Sequence, residues 1–127
     1  MATPASELTG ILARHRAALE IVTLVTEAHG ELRASLRSVT SGHSSIALFV
    51  DPNLITTAYV TQALESISTG VVSGVFTDIH ENPCEADVLA AAAFLAPLNA
   101  DCVVAIGGGS TIDTAKMALL LAFGGGV

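Results

Sequence analysis

Three consecutive glycines followed by a serine have the residue types and spacing for a chemical role. They occupy Gly107 to Ser110, after the apolar segment 102–106 and before the helix-like run 111–122. Glycine has no Cβ, so a ligand can approach the backbone N–H groups closely at such a turn. The helix N-terminus adds partial positive charge, and a serine hydroxyl can reach a phosphate oxygen. The pattern therefore indicates a phosphate-binding loop.

A structural explanation of the same residues stays open. Ser110 and Asp113 match a capping box, S-x-x-D, with Ser110 as the N-cap of a helix that begins at 111. The dinucleotide fingerprint G-x-G-x-x-G is not matched, because position 112 is Ile, and the Gly-Lys-Ser/Thr of a P-loop is missing. Spacing alone thus leaves a phosphate site and a tight strand-to-helix turn as two interpretations.

The elements that would position this loop alternate along the chain. Short, β-branched or continuously apolar segments predict strands, and apolar residues at helical spacing predict helices. The predicted strands are 21–26, 46–51, 71–78 and 102–106, and the predicted helices are 5–19, 30–39, 53–67, 84–96 and 111–122. This alternation predicts an α/β fold, a Rossmann-like parallel sheet with helices on both faces.

Three polar or glycine-rich clusters follow the predicted strands. They are Asp51, the segment 78–82 and the segment 107–110. Parallel sheets bind ligands beyond the carboxyl ends of their strands. We therefore expect all three clusters to line one edge of the sheet, where a ligand would bind.

Composition excludes several classes of function. The chain has 127 residues and a net charge of −7 with only five basic residues, which argues against a nucleic-acid partner. No apolar run approaches the roughly 20 residues of a membrane span, and the N-terminus lacks the pattern of a secretory signal. Two cysteines do not form a disulfide framework, which favours a reducing compartment. We expect a cytoplasmic protein, with mitochondrial import as the alternative.

Three motifs together resemble those of the iron-type (group III) alcohol dehydrogenases. "GGGSTIDTAK" is similar to that family's GGGS-x-x-D-x-A-K motif, which binds the nucleotide. "FVDPNL" resembles its V-T-D-P-G-L segment, and "HENPCEADV" resembles its P-N-P-T-x-x-x-V loop. The likeness covers about residues 21–127 in the order and spacing of the family. It implies an NAD(P)-binding domain over 21–127, preceded by an N-terminal extension over 1–20 that we predict to be helical.

The resemblance also implies an activity and a set of binding residues. The activity would be metal-dependent hydride transfer between a small alcohol or aldehyde and NAD, with NADP less favoured. The glycines and Ser110 would hold the pyrophosphate. Asp51 would accept hydrogen bonds from the hydroxyl groups of the adenosine ribose, and its charge would disfavour a 2′-phosphate. Asp113 would lie near the nicotinamide end, and Asn82 and Pro83 would shape the loop beside the cofactor. The implied cofactor-binding residues are Asp51, Asn82, Pro83, Gly107, Gly108, Gly109, Ser110 and Asp113.

The chain departs from the family pattern in several places. Asn53 replaces a glycine, and Cys84 replaces a threonine that would cap a helix. The family's all-helical domain carries the iron or zinc ligands, and we expect this chain to lack that domain. The four histidines, His15, His29, His43 and His80, do not match those ligands, so the sequence assigns neither a metal site nor a catalytic residue.

The histidine most suggestive of chemistry is His80, which is adjacent to Glu81. We predict that these two residues form a loop pair near the cofactor edge. Two further interpretations of the whole chain stay open, a nucleotide-binding module without catalysis and a remnant whose glycines are structural. The predicted helices at 84–96 and 111–122 are apolar on more than one face. Such helices are normally buried, which predicts a homo-oligomer or an aggregate, or contact with a second domain.

Overall fold

The described part of the chain is a series of strands and helices that alternate. A computed structural model describes residues 20–24, 29–67 and 70–124. The helix predicted over 5–19 lies outside the described residues, as does nearly all of the extension over 1–20. The strands are β1 (Glu20–Leu24), β2 (Ile46–Val50), β3 (Val72–Phe76) and β4 (Cys102–Ile106). The helices are α1 (His29–Thr40), α2 (Ala58–Glu65), α3 (Glu85–Leu95) and α4 (Gly109–Leu119), with a 3₁₀ turn at Ala96–Leu98 and a π turn at Leu120–Gly124.

The four strands form one parallel sheet in the order β1-β4-β2-β3. Ile106 at the end of β4 lies opposite Leu24 of β1 and Val50 of β2. Phe49 of β2 lies opposite Phe76 at the end of β3. The carboxyl ends of all four strands therefore meet at one edge, and the prediction of a Rossmann-like α/β fold is confirmed.

The two inner strands are buried on both faces, which is why their sequences are continuously apolar. Every residue of β2 and β4 is buried. On one face of the sheet, Leu48 and Val104 share a core with Leu36 of α1 and Val60 of α2. On the other face, Phe49 and Val103 share a core with residues of α3 and α4. Helices thus cover both faces of the sheet, as predicted.

At the amino-terminal edge, Asp101 connects the loop before β2 to the start of β4. Its carboxylate accepts hydrogen bonds from the backbone N–H groups of Ser44, at 3.1 Å, and Ser45, at 3.2 Å. The imidazole Nδ1 of His43 lies 3.5 Å from the same carboxylate. The Ser44 N–H bond, followed by the Ser45 N–H bond and the charge of His43, holds the pKa of Asp101 below its ordinary value. These contacts are structural and lie at the edge opposite the glycine loop.

The helix predicted over 53–67 begins later than its sequence suggests. Residues 52–56 form turns, because the carbonyl of Asp51 accepts from the N–H groups of both Leu54, at 2.9 Å, and Ile55, at 3.1 Å. The Thr57 hydroxyl donates to the Leu54 carbonyl at 2.6 Å. Regular α-helix starts only at Ala58. The Asp-Pro-Asn signal therefore marks a turn, and the prediction of a helix start at 53 is wrong.

Candidate functional site

The candidate site lies where β4 enters α4. The helix begins at Gly109, with Gly108 as its N-cap, and its first intrahelical bond runs from the Ile112 N–H to the Gly108 carbonyl at 3.1 Å. Ser110 is therefore the second helical residue and cannot be the N-cap. The capping box that one of the two interpretations placed between Ser110 and Asp113 therefore does not form, and within the described residues no side chain caps α4.

Gly107 is a glycine that the fold itself requires. Its φ of 152° is one that side-chain-bearing residues rarely adopt. A Cβ at this position would lie 2.5 Å from the Oγ1 of Thr111 and 3.0 Å from the Cβ of Asp51. The structural interpretation of the glycines is therefore correct for Gly107.

Gly108 and Gly109 differ from Gly107 in this respect. Both are exposed, and a Cβ built on either one would have no heavy atom of the described residues within 4 Å. Neither has a φ in the left-handed region. Neither packing nor backbone conformation thus explains these two glycines, whereas close approach of a ligand to their N–H groups would.

The first turn of α4 offers hydrogen-bond donors to an anion. The N–H groups that open a helix have no intrahelical partner, and the helix dipole places partial positive charge beside them. α4 has no acidic residue in its first turn, whereas α3 has Glu85 and Asp87 in its own. The N-terminus of α3 is thus compensated by its own side chains, and that of α4 is not.

Asp51 lies beside this turn at the end of β2. Its N–H donates to the Ile106 carbonyl at 3.0 Å, which extends the pairing of β2 with β4 by one residue. Its carboxylate Oδ1 accepts from the Asn53 N–H at 2.7 Å, and this bond orients the side chain. Asp51 is half-buried and in near contact with Gly107. The structure therefore brings together a fixed carboxylate and a helix N-terminus that no side chain of the described residues caps.

The loop after β3 holds the remaining polar residues of this edge. Asn82 has a left-handed φ of 49°, and the half-buried Pro83 follows it. In the sheet order, β2 lies between β3 and β4, so this loop flanks Asp51 and not the glycines. Asp113 lies one helical turn into α4 and is exposed.

His80 is paired in this loop, but not with Glu81. Its Nε2 lies 2.8 Å from the Oδ1 of Asp78 and 3.8 Å from the Oδ1 of Asp87, so the predicted pair with Glu81 is wrong. Asp87 also accepts from the Cys84 N–H at 2.9 Å, within a capping box at the start of α3. This bond, helped by the Cys84 side chain and by His80, lowers the pKa of Asp87. Cys84 thus occupies the cap position that the sequence indicated.

The sequence model that describes the family of iron-containing alcohol dehydrogenases matches residues 22–125 of this chain. The chain belongs to this family. The match spans the three motifs and confirms the resemblance seen in the sequence. A search of curated proteins found no match.

Iron-containing alcohol dehydrogenases use a metal, but the described residues offer no site for one. Within 20–24, 29–67 and 70–124, no group of three or more His, Cys, Asp or Glu side chains is arranged to hold a metal ion. His43 contacts Asp101 at the opposite edge of the sheet, and His15 lies outside the described residues. In the same part of the chain, no helix has the length and apolar character needed to cross a membrane.

Thr111 is the residue at this site that the sequence analysis missed. It is 1% exposed, and its hydroxyl lies against Gly107. With the helix start placed at 111, this residue had no evident role. The actual start at Gly109 places Thr111 at the end of the first turn, four residues after Gly107, so that its side chain faces that glycine. A correct N-cap assignment would have revealed the contact.

Proposed function

We propose that this chain binds NAD at the carboxyl edge of its sheet and serves as the cofactor-binding part of a metal-dependent alcohol dehydrogenase. One observation carries the proposal. Gly108 and Gly109 leave the N-terminus of α4 open directly beside Asp51, although neither side-chain packing nor a left-handed φ requires glycine at these positions. The family membership supports the same cofactor class.

The residues divide the dinucleotide between them. The N–H groups of Gly108 and Gly109 face the pyrophosphate, and the Ser110 hydroxyl adds a donor. Asp51 accepts from the hydroxyl groups of the adenosine ribose, and Asn82 and Pro83 form the loop on its far side. Asp113 lies further along α4, toward the nicotinamide end. The bound nicotinamide supplies the hydride chemistry, and this chain binds and orients it.

The charge of Asp51 favours NAD over NADP. The Asn53 N–H bond holds the carboxylate at the strand end, so that it cannot simply turn away from a ligand. A 2′-phosphate would bring a second negative group next to this half-buried carboxylate, and like charges in such a site repel. A ribose hydroxyl instead donates a hydrogen bond to it.

A second candidate is binding without turnover. The described residues provide no set of metal ligands, and no reaction step through a metal can be assigned to them. We expect the 127-residue chain to bind NAD and to reduce none of it with an alcohol and added Fe²⁺ or Zn²⁺. Metal-dependent reduction by the purified chain would contradict this expectation.

Titration calorimetry with NAD and NADP tests the binding site. We expect NAD to bind more tightly than NADP. Asp51→Asn should reduce this difference in affinity, because the amide removes the negative charge and keeps the size of the side chain. Asp101→Asn is the matched control, since Asp101 lies at the opposite edge of the sheet, and it should leave the NAD-to-NADP ratio unchanged. Tighter binding of NADP by the unmodified chain, or an unchanged ratio in Asp51→Asn, would refute the role of Asp51.

A further inference from the structure

We infer that the hydroxyl of Thr111 is an additional ligand group of this site and donates a hydrogen bond to the diphosphate of the bound nucleotide. The inference rests on the proposed function and extends it to a side chain that the family motif leaves unspecified. Thr111 differs in its hydrogen bonding from the other buried threonines of the described residues.

Three polar residues in the described part of the chain are buried, and all three are threonines on helices. Thr40 donates its hydroxyl to the Leu36 carbonyl, and Thr114 donates to the Ser110 carbonyl at 2.7 Å. These bonds to the carbonyl four residues earlier are the ordinary way in which a helical threonine satisfies its hydroxyl. Thr111 has no such bond, although it lies on the same helix as Thr114 and is equally buried.

The small exposed surface of Thr111 is located at its hydroxyl. Within the described residues, no side-chain oxygen is both enclosed and without a hydrogen-bond partner. The Thr111 hydroxyl makes no hydrogen bond to those residues, so it must retain a path to solvent although the residue is only 1% exposed. A hydroxyl that is buried in this way and open on one side is prepared to bond to something outside the fold.

The surroundings identify what that partner is. The hydroxyl lies against Gly107, at the base of the first turn of α4, and the Cβ of Asp51 approaches the same glycine. The N–H groups of the same turn are donors with no acceptor in the helix. The Thr111 hydroxyl and these N–H groups together form a cluster of hydrogen-bond donors, which suits a ligand group that offers only acceptors. A diphosphate is such a group, whereas a ribose hydroxyl also donates.

Substitutions that remove the hydroxyl and keep its shape test the inference. Thr111→Val should lower the affinities for NAD and for ADP by the same factor, about tenfold, which corresponds to about 1.4 kcal/mol of binding free energy. Its melting temperature should stay close to that of the unmodified chain, because no internal hydrogen bond is lost. Thr111→Ser and Thr111→Ala form a second pair that differ only in the hydroxyl, and Thr111→Ser should bind more tightly by a similar factor.

Thr114→Val is the matched control, since it removes an equally buried hydroxyl that is already bonded within α4. It should lower the melting temperature and leave the affinity for ADP unchanged. If the unmodified chain binds ADP and Thr111→Val binds it within about threefold, this inference is wrong and the proposed function survives. A loss for NAD without a loss for ADP would also overturn the assignment to the diphosphate. If the unmodified chain binds neither nucleotide, the proposed function fails, and the inference fails with it.

Discussion

Two neighbouring glycines of the same loop should respond in opposite ways to substitution. Gly107→Ala places a Cβ 2.5 Å from the Thr111 Oγ1 and 3.0 Å from the Cβ of Asp51, at a φ of 152°. Backbone strain of this kind costs about 1–3 kcal/mol, and overpacking costs a similar amount, so we expect a loss of about 3 kcal/mol. For a chain of this length, that loss lowers the melting temperature by about 12 °C.

Gly108→Val should instead leave the fold intact and abolish binding. The backbone at Gly108, with φ −89° and ψ −159°, is extended and suits valine, and a Cβ there would have no neighbour within 4 Å. The weaker N-cap costs at most about 1 kcal/mol. The valine side chain occupies the space that the pyrophosphate needs, so NAD should no longer bind.

Thermal unfolding followed by far-UV circular dichroism and titration calorimetry with NAD measure the two effects separately. Gly107→Ala should be strongly destabilised, and Gly108→Val should melt near the unmodified chain without binding NAD. If Gly107→Ala melted within a few degrees of the unmodified chain, the geometric argument for that glycine would be wrong. If Gly108→Val kept its affinity within about threefold, a difference of under 1 kcal/mol, the turn would be structural and not a phosphate site.

Two further predictions concern the rest of the molecule. Because the folded pKa of Asp101 is lowered from 3.8, its contribution to stability is fully present above that pH and is lost as the pH falls through the folded value. Asp101→Asn should therefore lower the free energy of unfolding by about 1 kcal/mol near neutral pH, a modest amount because water screens a partly exposed carboxylate. The loss should be smaller in acid. Urea unfolding at several pH values measures both effects. We also propose that the chain self-associates through the exposed face of α3, where Leu89 is 51% exposed among exposed alanines. Sedimentation velocity should show dimers or larger species at tens of micromolar that Leu89→Glu removes, and a monomer in the unmodified chain would contradict this proposal.

The sequence predicts the α/β architecture well because its inner strands are buried on both faces. A strand enclosed by helices must be apolar throughout, and 46–50 and 102–106 are easily recognised for that reason. The location of Asp51 and the glycines follows from the same signal, since they come directly after those strands. Their place at the sheet edge needed no knowledge of side-chain packing.

The helix starts were harder to predict because local signals competed. Ser110 and Asp113 match a capping box, yet α4 starts two residues earlier, at Gly109, where the strand-to-helix turn through Gly107 places it. Asp51 and Pro52 signal a helix, but the Asp51 carbonyl closes a turn first. The partner of His80 could not be read from adjacent residues, since one of its two carboxylates lies on α3.

The strand order has a consequence for how this chain folds. Among the described strands, β4 comes fourth along the sequence and yet pairs with both β1 and β2, which do not pair with each other. During synthesis, β2 and β3 can pair early, whereas β1 has no partner until residues 102–106 have left the ribosome. Closing the loop between β1 and β4 requires contacts far apart in sequence, and such contacts form slowly. The glycine turn directly follows β4, so we expect it to become ordered only after β4 has joined the sheet.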